Sequence, residues 1–417
     1  MEYGLIGEKL GHSFSKEIHA KIGEYPYELL ELPREELPGF LMKKQFKAIN
    51  VTIPYKEAAL PYLNVISREA EKIGAVNLIV NRGGVLYGYN TDYYGAKRLI
   101  ERANVQVKGK KALILGSGGT RRTLYAVLSD MGAREILTVS RSAATQRGAN
   151  RSPVVTYEEA KQNHADAEII LNATPVGMFP DFDGMPVDPD DFPRLSGVID
   201  VIYNPLCTRL IEKARARNIP CDNGLFMLAA QAVQASAIMR DVPLDEALCE
   251  SVYRETLSQK RNIVLIGMPT SGKSTVGALL SKLTGKPLFD TDALTELRLR
   301  KPIPEIFAEF GETAFRKEES VTIKEVAAKT GCIVATGGGV VLSSENIRLL
   351  KKNGKIFFLD RPKELLTAGC GRPLSSNAAA LNQMYEKRLP LYLAAADCRI
   401  VNATSPENAA QEILRNL

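Results

Sequence analysis

The stretch "GMPTSGKST" at 267–275 separates Gly272, Lys273 and Ser274 from Gly267 by four residues, behind the apolar run "NIVLI" and ahead of an amphipathic segment. This is the spacing G-x-x-x-x-G-K-S, whose backbone N–H groups cradle phosphates while the lysine reaches the β and γ groups and the serine hydroxyl ligates Mg²⁺. Gly267, Thr270, Ser271, Gly272, Lys273, Ser274 and Thr275 are therefore expected on ATP, with Ser274 at the metal. Downstream, "FDTD", "FGETAFRKEE", "VATGGGVV", "GRPLS" and "KRLPLY" supply Asp290, Asp292, Arg316, the turn Gly337, Gly338 and Gly339, Arg372, and Arg388. Two arginines can fork onto a carboxylate, an aspartate can orient or deprotonate a hydroxyl, and an arginine on a loop can neutralise a transferring phosphoryl group. Taken singly, each arginine reads as a surface ion-pair member.

A glycine turn of another kind, "GSGGTRR", follows "KALIL" at 116–122. Strand, glycine turn and helix bring backbone N–H groups against a pyrophosphate, so Gly116, Ser117, Gly118, Gly119 and Thr120 are cofactor candidates. Arg121 stands where the dinucleotide fingerprint has its third glycine. At the end of the next strand, "LTVSRS" offers Ser140, Arg141 and Ser142 where an NAD-binding protein places an acid. A guanidinium and hydroxyls there suit a 2′-phosphate, which favours NADP(H) over NAD.

Four segments upstream carry a polar set: Ser13 and Ser15, Thr52 and Lys56, Asn77, and Asp92. Alone, each is a turn former or a solvated cation. Together they suit a small polyhydroxylated acid, and a lysine near an aspartate can pass a proton to a carbonyl oxygen as hydride reaches the carbon. None of the three histidines (12, 19, 164) has an acid–base partner nearby in sequence, which favours a lysine-based over a histidine-based hydride-transfer site, and His12 and His19 are expected to structure the serine-rich turn.

These segments, in this order and on through "NATPVGM", "DVIYNPLCTRL" and "NGLFMLAAQAVQA", resemble shikimate dehydrogenase from the N-terminus to about residue 258. The resemblance implies Lys56 and Asp92 as the catalytic pair and Ser13, Ser15, Thr52, Asn77, Asp92, Tyr203 and Gln231 around the substrate. It puts the 116–122 loop, Arg121 included, and Arg141 on NADP, with Thr174 and Gly224 beside the nicotinamide. Lys16, Ala20, Thr123 and Thr145 depart from that family's pattern. Residues 262–417 resemble shikimate kinase. That implies Asp292, Arg316, Arg388 and Gly337 to Gly339 on shikimate, Asp290 in the Mg²⁺ shell through water, and catalytic roles for Lys273, Asp292 and the lid residue Arg372. The lid segment "LLTAGCGRPLSSN" is small and poor in charge for that family. The two resemblances imply NADPH-dependent reduction of 3-dehydroshikimate and Mg-ATP-dependent phosphorylation of shikimate at its 3-hydroxyl, consecutive steps toward chorismate. Two other readings stand beside this one. The first is a quinate-type dehydrogenase with a related small-molecule kinase. The second is a nucleotide-binding regulator that senses shikimate, against which the joint presence of Lys56, Asp92, Lys273 and Asp292 speaks.

Strand-length apolar runs alternate with amphipathic stretches nearly throughout, which means α/β architecture with largely parallel sheets. The expected layout is a dehydrogenase-like pair, an α/β substrate domain at 1–102 completed by helices in 223–258 and a Rossmann NADP domain at 103–222. A P-loop domain like the nucleoside-monophosphate kinases follows at 262–417. The net charge of +6 in 417 residues comes from scattered residues, without the Lys/Arg block of a nucleic-acid groove, and suits small anionic ligands. Six cysteines without a C-x-x-C pair argue against zinc and against a disulfide framework. With no leader pattern and no membrane-length apolar run, the expectation is a cytoplasmic protein with neither membrane nor nucleic-acid partner; its oligomeric state is open.

Overall fold

The computed structural model describes residues 1–11, 14–141, 153–366 and 378–417. Ser13, Ser142 and Arg372, with His12, Thr145 and Cys370, lie outside the described residues. The chain divides into two compact units, Met1–Thr256 and Leu257–Leu417.

The first unit holds two six-stranded sheets. One is built from β1 (Tyr3–Gly7), β2 (Glu28–Glu31), β3 (Ala48–Val51), β4 (Val65–Ile66), β5 (Leu78–Arg82) and β6 (Val85–Tyr89), in the order β2-β1-β3-β5-β6-β4. Successive residues on its strands alternate between two cores. Ile6, Ile49 and Ile79 pack with Leu37 and Leu41, while Leu5, Ala48 and Leu78 pack with Ala235 and Met239 of the helix Leu225–Arg240. A distant stretch of sequence therefore covers one face of this sheet. Pairing is largely parallel, as expected, and the antiparallel exceptions lie here, where β5 runs against both β3 and β6. Gly83 and Gly84, with φ of 58° and 86°, make the tight turn between β5 and β6 that two ordinary residues would resist.

The other sheet is wholly parallel: β7 (Lys111–Leu115), β8 (Glu135–Val139), β9 (Val154–Val155), β10 (Ile169–Asn172), β11 (Gly197–Asp200) and β12 (Cys221–Asn223), in the order β12-β11-β10-β7-β8-β9. The helix Thr91–Arg102 ends ahead of β7, where a boundary was expected, yet both sheets belong to one compact unit. The second unit is a five-stranded parallel sheet, β13 (Asn262–Ile266), β14 (Leu288–Asp290), β15 (Ile333–Ala335), β16 (Gly354–Asp360) and β17 (Cys398–Val401), in the order β14-β15-β13-β16-β17. The strands β7, β10, β13, β15 and β16 are buried along nearly their whole length, as expected of strands covered by helices on both faces. Among the described residues no helix is long and apolar enough to cross a membrane, no His/Cys/Asp/Glu cluster could hold a metal, and the five described cysteines are free.

Candidate active sites

In the first unit the polar residues converge where the strand ends of the first sheet meet the glycine turn of the second. Lys56, on the short helix Tyr55–Ala58, places Nζ 2.5 Å from Asp92 Oδ2. Asp92 lies in the first turn of the helix Thr91–Arg102, and its other oxygen accepts from Asn77 Nδ2 at 3.0 Å. Asn77, just ahead of β5, also donates to Thr91 Oγ1 at 3.0 Å and accepts from the Thr91 backbone N–H at 2.7 Å. Thr91 Oγ1 in turn reaches Gln231 Oε1 at 3.3 Å. Thr91 is thus the hub that connects Asn77 to Gln231, and sequence reasoning passed over it although it sits between Asn90 and Asp92 in "YNTDY".

Thr52, Lys56 and Asp92 line a cavity of about 370 Å³ together with Gly119, Thr120 and Arg122 of the dinucleotide turn. Arg122 closes one side by pairing with Glu57, a contact the sequence did not suggest. Ser15 starts the helix Ser15–Ile22, and the preceding Phe14 meets Tyr203 edge-on at 5.7 Å. Burial pushes the Tyr203 phenol up, so it stays a neutral hydroxyl.

The cofactor side is built for close backbone approach. Gly116 has φ of 101°, and a Cβ on it would lie 2.8 Å from Thr174 Cγ2, so Thr174 sits directly across the turn from the first glycine. Around Gly118 and Gly119 the space a Cβ would enter is open. Ser117 links Gly116 to Gly118, which is the N-cap of the helix Gly119–Asp130. Gly224 approaches the Val201 carbonyl so closely that no side chain fits. Ser140 continues β8, and the exposed Arg141 lies near enough to Tyr157 to act on its phenol. The open turn, the backbone donors and the absence of an acid at the end of β8 fit a dinucleotide with a 2′-phosphate.

In the second unit β13 feeds the phosphate loop, and Gly272, with φ of 92°, caps the helix Lys273–Thr284. Lys273 Nζ curls over the loop to the carbonyls of Gly267 at 3.0 Å and Met268 at 2.8 Å. Ser271 is buried, and its carbonyl accepts from Asn402 Nδ2 at 2.8 Å. Ser274 Oγ donates to Asp290 Oδ2 at 2.7 Å, which puts a hydroxyl and a carboxylate side by side as an oxygen-seeking Mg²⁺ requires. Asp290 also caps the helix Thr291–Leu299, accepting from the N–H groups of Asp292 and Ala293.

A cavity of about 500 Å³ runs from Lys273, Ser274 and Thr275 to Asp292, Arg316 and Arg388. The glycine turn lies under that second set. A Cβ on Gly337 would lie 2.3 Å from Asp292 Oδ1, and one on Gly339 would lie 2.1 Å from Arg316 Nη1. Gly338 offers its carbonyl to Arg388 Nη1 at 3.0 Å and to the Tyr392 hydroxyl at 2.5 Å. Glu319, 2% exposed, accepts from Arg316 Nη1 at 2.9 Å and has its carboxyl pushed up by burial against the opposing pull of Arg316. Burial works against the Arg316 charge, but Glu319 and Glu312 more than offset it. Sequence reasoning missed Glu319, although an acid three residues after an arginine on a helix is a signal for such a pair.

Each polar cluster thus sits beside its own phosphate-binding turn, which defines a chain of two nucleotide-dependent enzyme units of different kinds. Residues 5–79 match the model of the shikimate dehydrogenase substrate binding domain and residues 269–417 that of shikimate kinase. The shikimate dehydrogenase (NADP(+)) of Clostridium beijerinckii is 38% identical over 262 residues, covering 60% of this chain and 96% of that protein. Among solved structures, a chorismate mutase/shikimate 5-dehydrogenase fusion protein from Clostridium acetobutylicum is similar with a TM-score of 0.58 at 35% identity, over 61% of this chain and 96% of that one. The shikimate 5-dehydrogenase of Thermus thermophilus, in complex with NADP(H) and shikimate, follows with a TM-score of 0.53 at 32% identity, over 61% and 99%. The chain belongs to the shikimate dehydrogenase family through its first unit and carries a shikimate kinase domain in its second.

Proposed function

We propose that the first unit reduces 3-dehydroshikimate to shikimate with NADPH and that the second phosphorylates shikimate with Mg-ATP, in a cytoplasmic setting. The observation that carries the reading is the Lys56–Asp92 pair, 2.5 Å apart, in the same cavity as Gly119 and Thr120 of the dinucleotide turn. NADPH supplies the hydride for the ring carbonyl. Lys56 Nζ delivers the proton to the carbonyl oxygen, and in the reverse direction takes it from the hydroxyl. Asp92 holds that ammonium in place, and Asn77, itself held by Thr91, fixes the carboxylate so that it does not swing. Ser13, Ser15, Thr52, Tyr203 and Gln231 hold the substrate's carboxylate and remaining hydroxyls.

In the second unit ATP supplies the phosphoryl group and Mg²⁺ neutralises its charge. Ser274 and Asp290 would hold the ion, and Lys273 would move from the loop carbonyls onto the phosphates. Asp292 orients the accepting hydroxyl and takes up its proton, while Arg316 and Arg388 fork onto the shikimate carboxylate. Arg372 would complete the site from the lid.

The test is an assay of purified protein with shikimate and NADP⁺, and separately with shikimate and Mg-ATP. Both reactions are expected. Lys56→Ala should lower the first roughly 100- to 10,000-fold and leave the second unchanged, because a group that moves a proton in the transition state contributes about that much. A loss below about tenfold would remove Lys56 from the proton step.

A further inference from the structure

The helix Gly119–Asp130 carries in its first turn a cation that no carboxylate among the described residues neutralises. Arg121 is 7% exposed, and its Nε is buried without a hydrogen-bond partner. Burial and the neighbouring Arg122 both weaken its hold on the proton, and among the described residues no carboxylate pairs with it. Other buried cations have partners within the protein: Lys111 pairs with Asp166 at 2.8 Å, and Lys273 and Arg388, for example, rest on carbonyls. A buried guanidinium N–H without a partner costs stability, and a cation so placed with no counter-charge suits an anion from outside.

Its placement says which one. Leu124 and Leu128, one and two turns further on the same side of the helix, are fully buried. The cleft side is held by Thr120, Arg122 and Thr123, which line the cavity with Lys56. Arg121 therefore faces away from the reacting end. At the start of the turn the Gly116 N–H donates to the Val139 carbonyl at 2.8 Å, so the turn abuts the end of β8, where Ser140 follows. A dinucleotide laid across the strand ends, with its nicotinamide at Lys56, puts its adenosine ribose at that place.

We propose that Arg121 binds the 2′-phosphate of NADP(H) beside Ser140 and so sets the choice of NADP over NAD. This rests on the dehydrogenase reading above and adds to it a residue that takes the place of a glycine in the dinucleotide fingerprint.

Calorimetry on the intact protein, with ADP and Mg²⁺ filling the second unit, tests it with NADP⁺, NAD⁺ and 2′,5′-ADP. Arg121→Ala should weaken NADP⁺ and 2′,5′-ADP roughly 10- to 100-fold, the usual loss for one charge-assisted contact, and leave NAD⁺ within about twofold. Arg121→Lys should recover part of the loss. Should the alanine variant melt early, Arg121→Gln keeps the bulk, drops the charge and should show the same selective loss. Equal weakening of NAD⁺ and NADP⁺ would move Arg121 to the pyrophosphate and overturn the proposal. Unchanged NADP⁺ binding by a folded variant would make Arg121 a packing residue. Wild-type protein that binds no dinucleotide would overturn the dehydrogenase reading, and the inference with it.

Discussion

His19 shows how a residue with obvious chemical capacity is used for packing. It is 2% exposed, stacked on Tyr27 with ring centroids 3.9 Å apart, and its Nδ1 lies 2.5 Å from the Tyr25 hydroxyl. Tyr25 passes the chain on to Ser236 Oγ at 2.9 Å. Burial drives the His19 pKa down to about 3, with Asn50 and Arg240 as lesser influences. The unfolded chain binds a proton here below about pH 6.5 and the folded chain does not, so this group's share of stability is full at neutral pH and is lost as pH falls from about 6.5 toward 3. His19→Phe keeps the stack and removes the titration. Its stability deficit against wild type in urea melts should therefore shrink by roughly 1–2 kcal/mol between pH 7 and pH 5. A deficit that is the same at both values would mean that His19 is not buried neutral. At this scale the sequence shows residue type and order but not partners. Lys56 and Asp92 were legible as a pair because both types suit one proton transfer. Thr91 and Glu319 were not, because a threonine or a glutamate attracts no notice until its hydrogen bonds are seen.

Elements were legible where burial on both faces writes a continuous apolar run, as in "KALIL", "NIVLI" and "KIFFLD". The hairpin of β5 and β6 was less legible, because β5 ends on the polar Asn81 and Arg82 and each strand is only five residues long, although "RGG" marks the turn between them. A subtler element is the helix Ile303–Ala327, which is broken at Gly311 with φ of 77°. The segment after the break carries Arg316 and Glu319 into the kinase cavity. A Cβ at Gly311 would meet nothing within 4 Å, so the obstacle to Gly311→Ala is the backbone alone, whose positive φ and extended ψ (171°) are nearly reserved for glycine and cost another residue about 1–3 kcal/mol. A helix straightened to relieve that cost would turn Arg316 away from Gly339. Gly311→Ala should thus weaken shikimate binding several-fold in calorimetry while Mg-ADP binds as in wild type. Equal loss of both ligands would point to general destabilisation instead.

For the whole molecule the informative question is where one unit ends. The sequence points to a break within Leu257–Arg261, but the helix Glu246–Lys260 runs through that stretch. The four residues this helix buries, Cys249, Val252, Tyr253 and Thr256, all precede the division after Thr256. Its last turn belongs to the second unit. Lys286 Nζ donates to the carbonyls of Ser258 at 2.9 Å, Gln259 at 2.7 Å and Arg261 at 3.1 Å, and the Gly331 N–H donates to the Lys260 carbonyl at 2.8 Å. These are the orphan carbonyls of a helix end, and burial lowers the hold of Lys286 on its proton, so removing its acceptors would leave a partly buried ammonium short of partners. A cut between residues 259 and 260 severs this cap from within. Fragment 246–417 should therefore melt several degrees above fragment 260–417, since each lost kcal/mol shifts a domain of this size by roughly 2–8 °C. Fragments 1–256 and 246–417 should each keep kcat/KM within about tenfold, or 1.4 kcal/mol, of the intact chain, because each holds all the residues that line its own cavity and a core well above marginal size. Two outcomes would count against this account. Equal melting of the two kinase fragments would show that the Lys286 cap contributes nothing, and a fragment that is inactive alone but recovers on mixing would show that one unit depends on the other for its site.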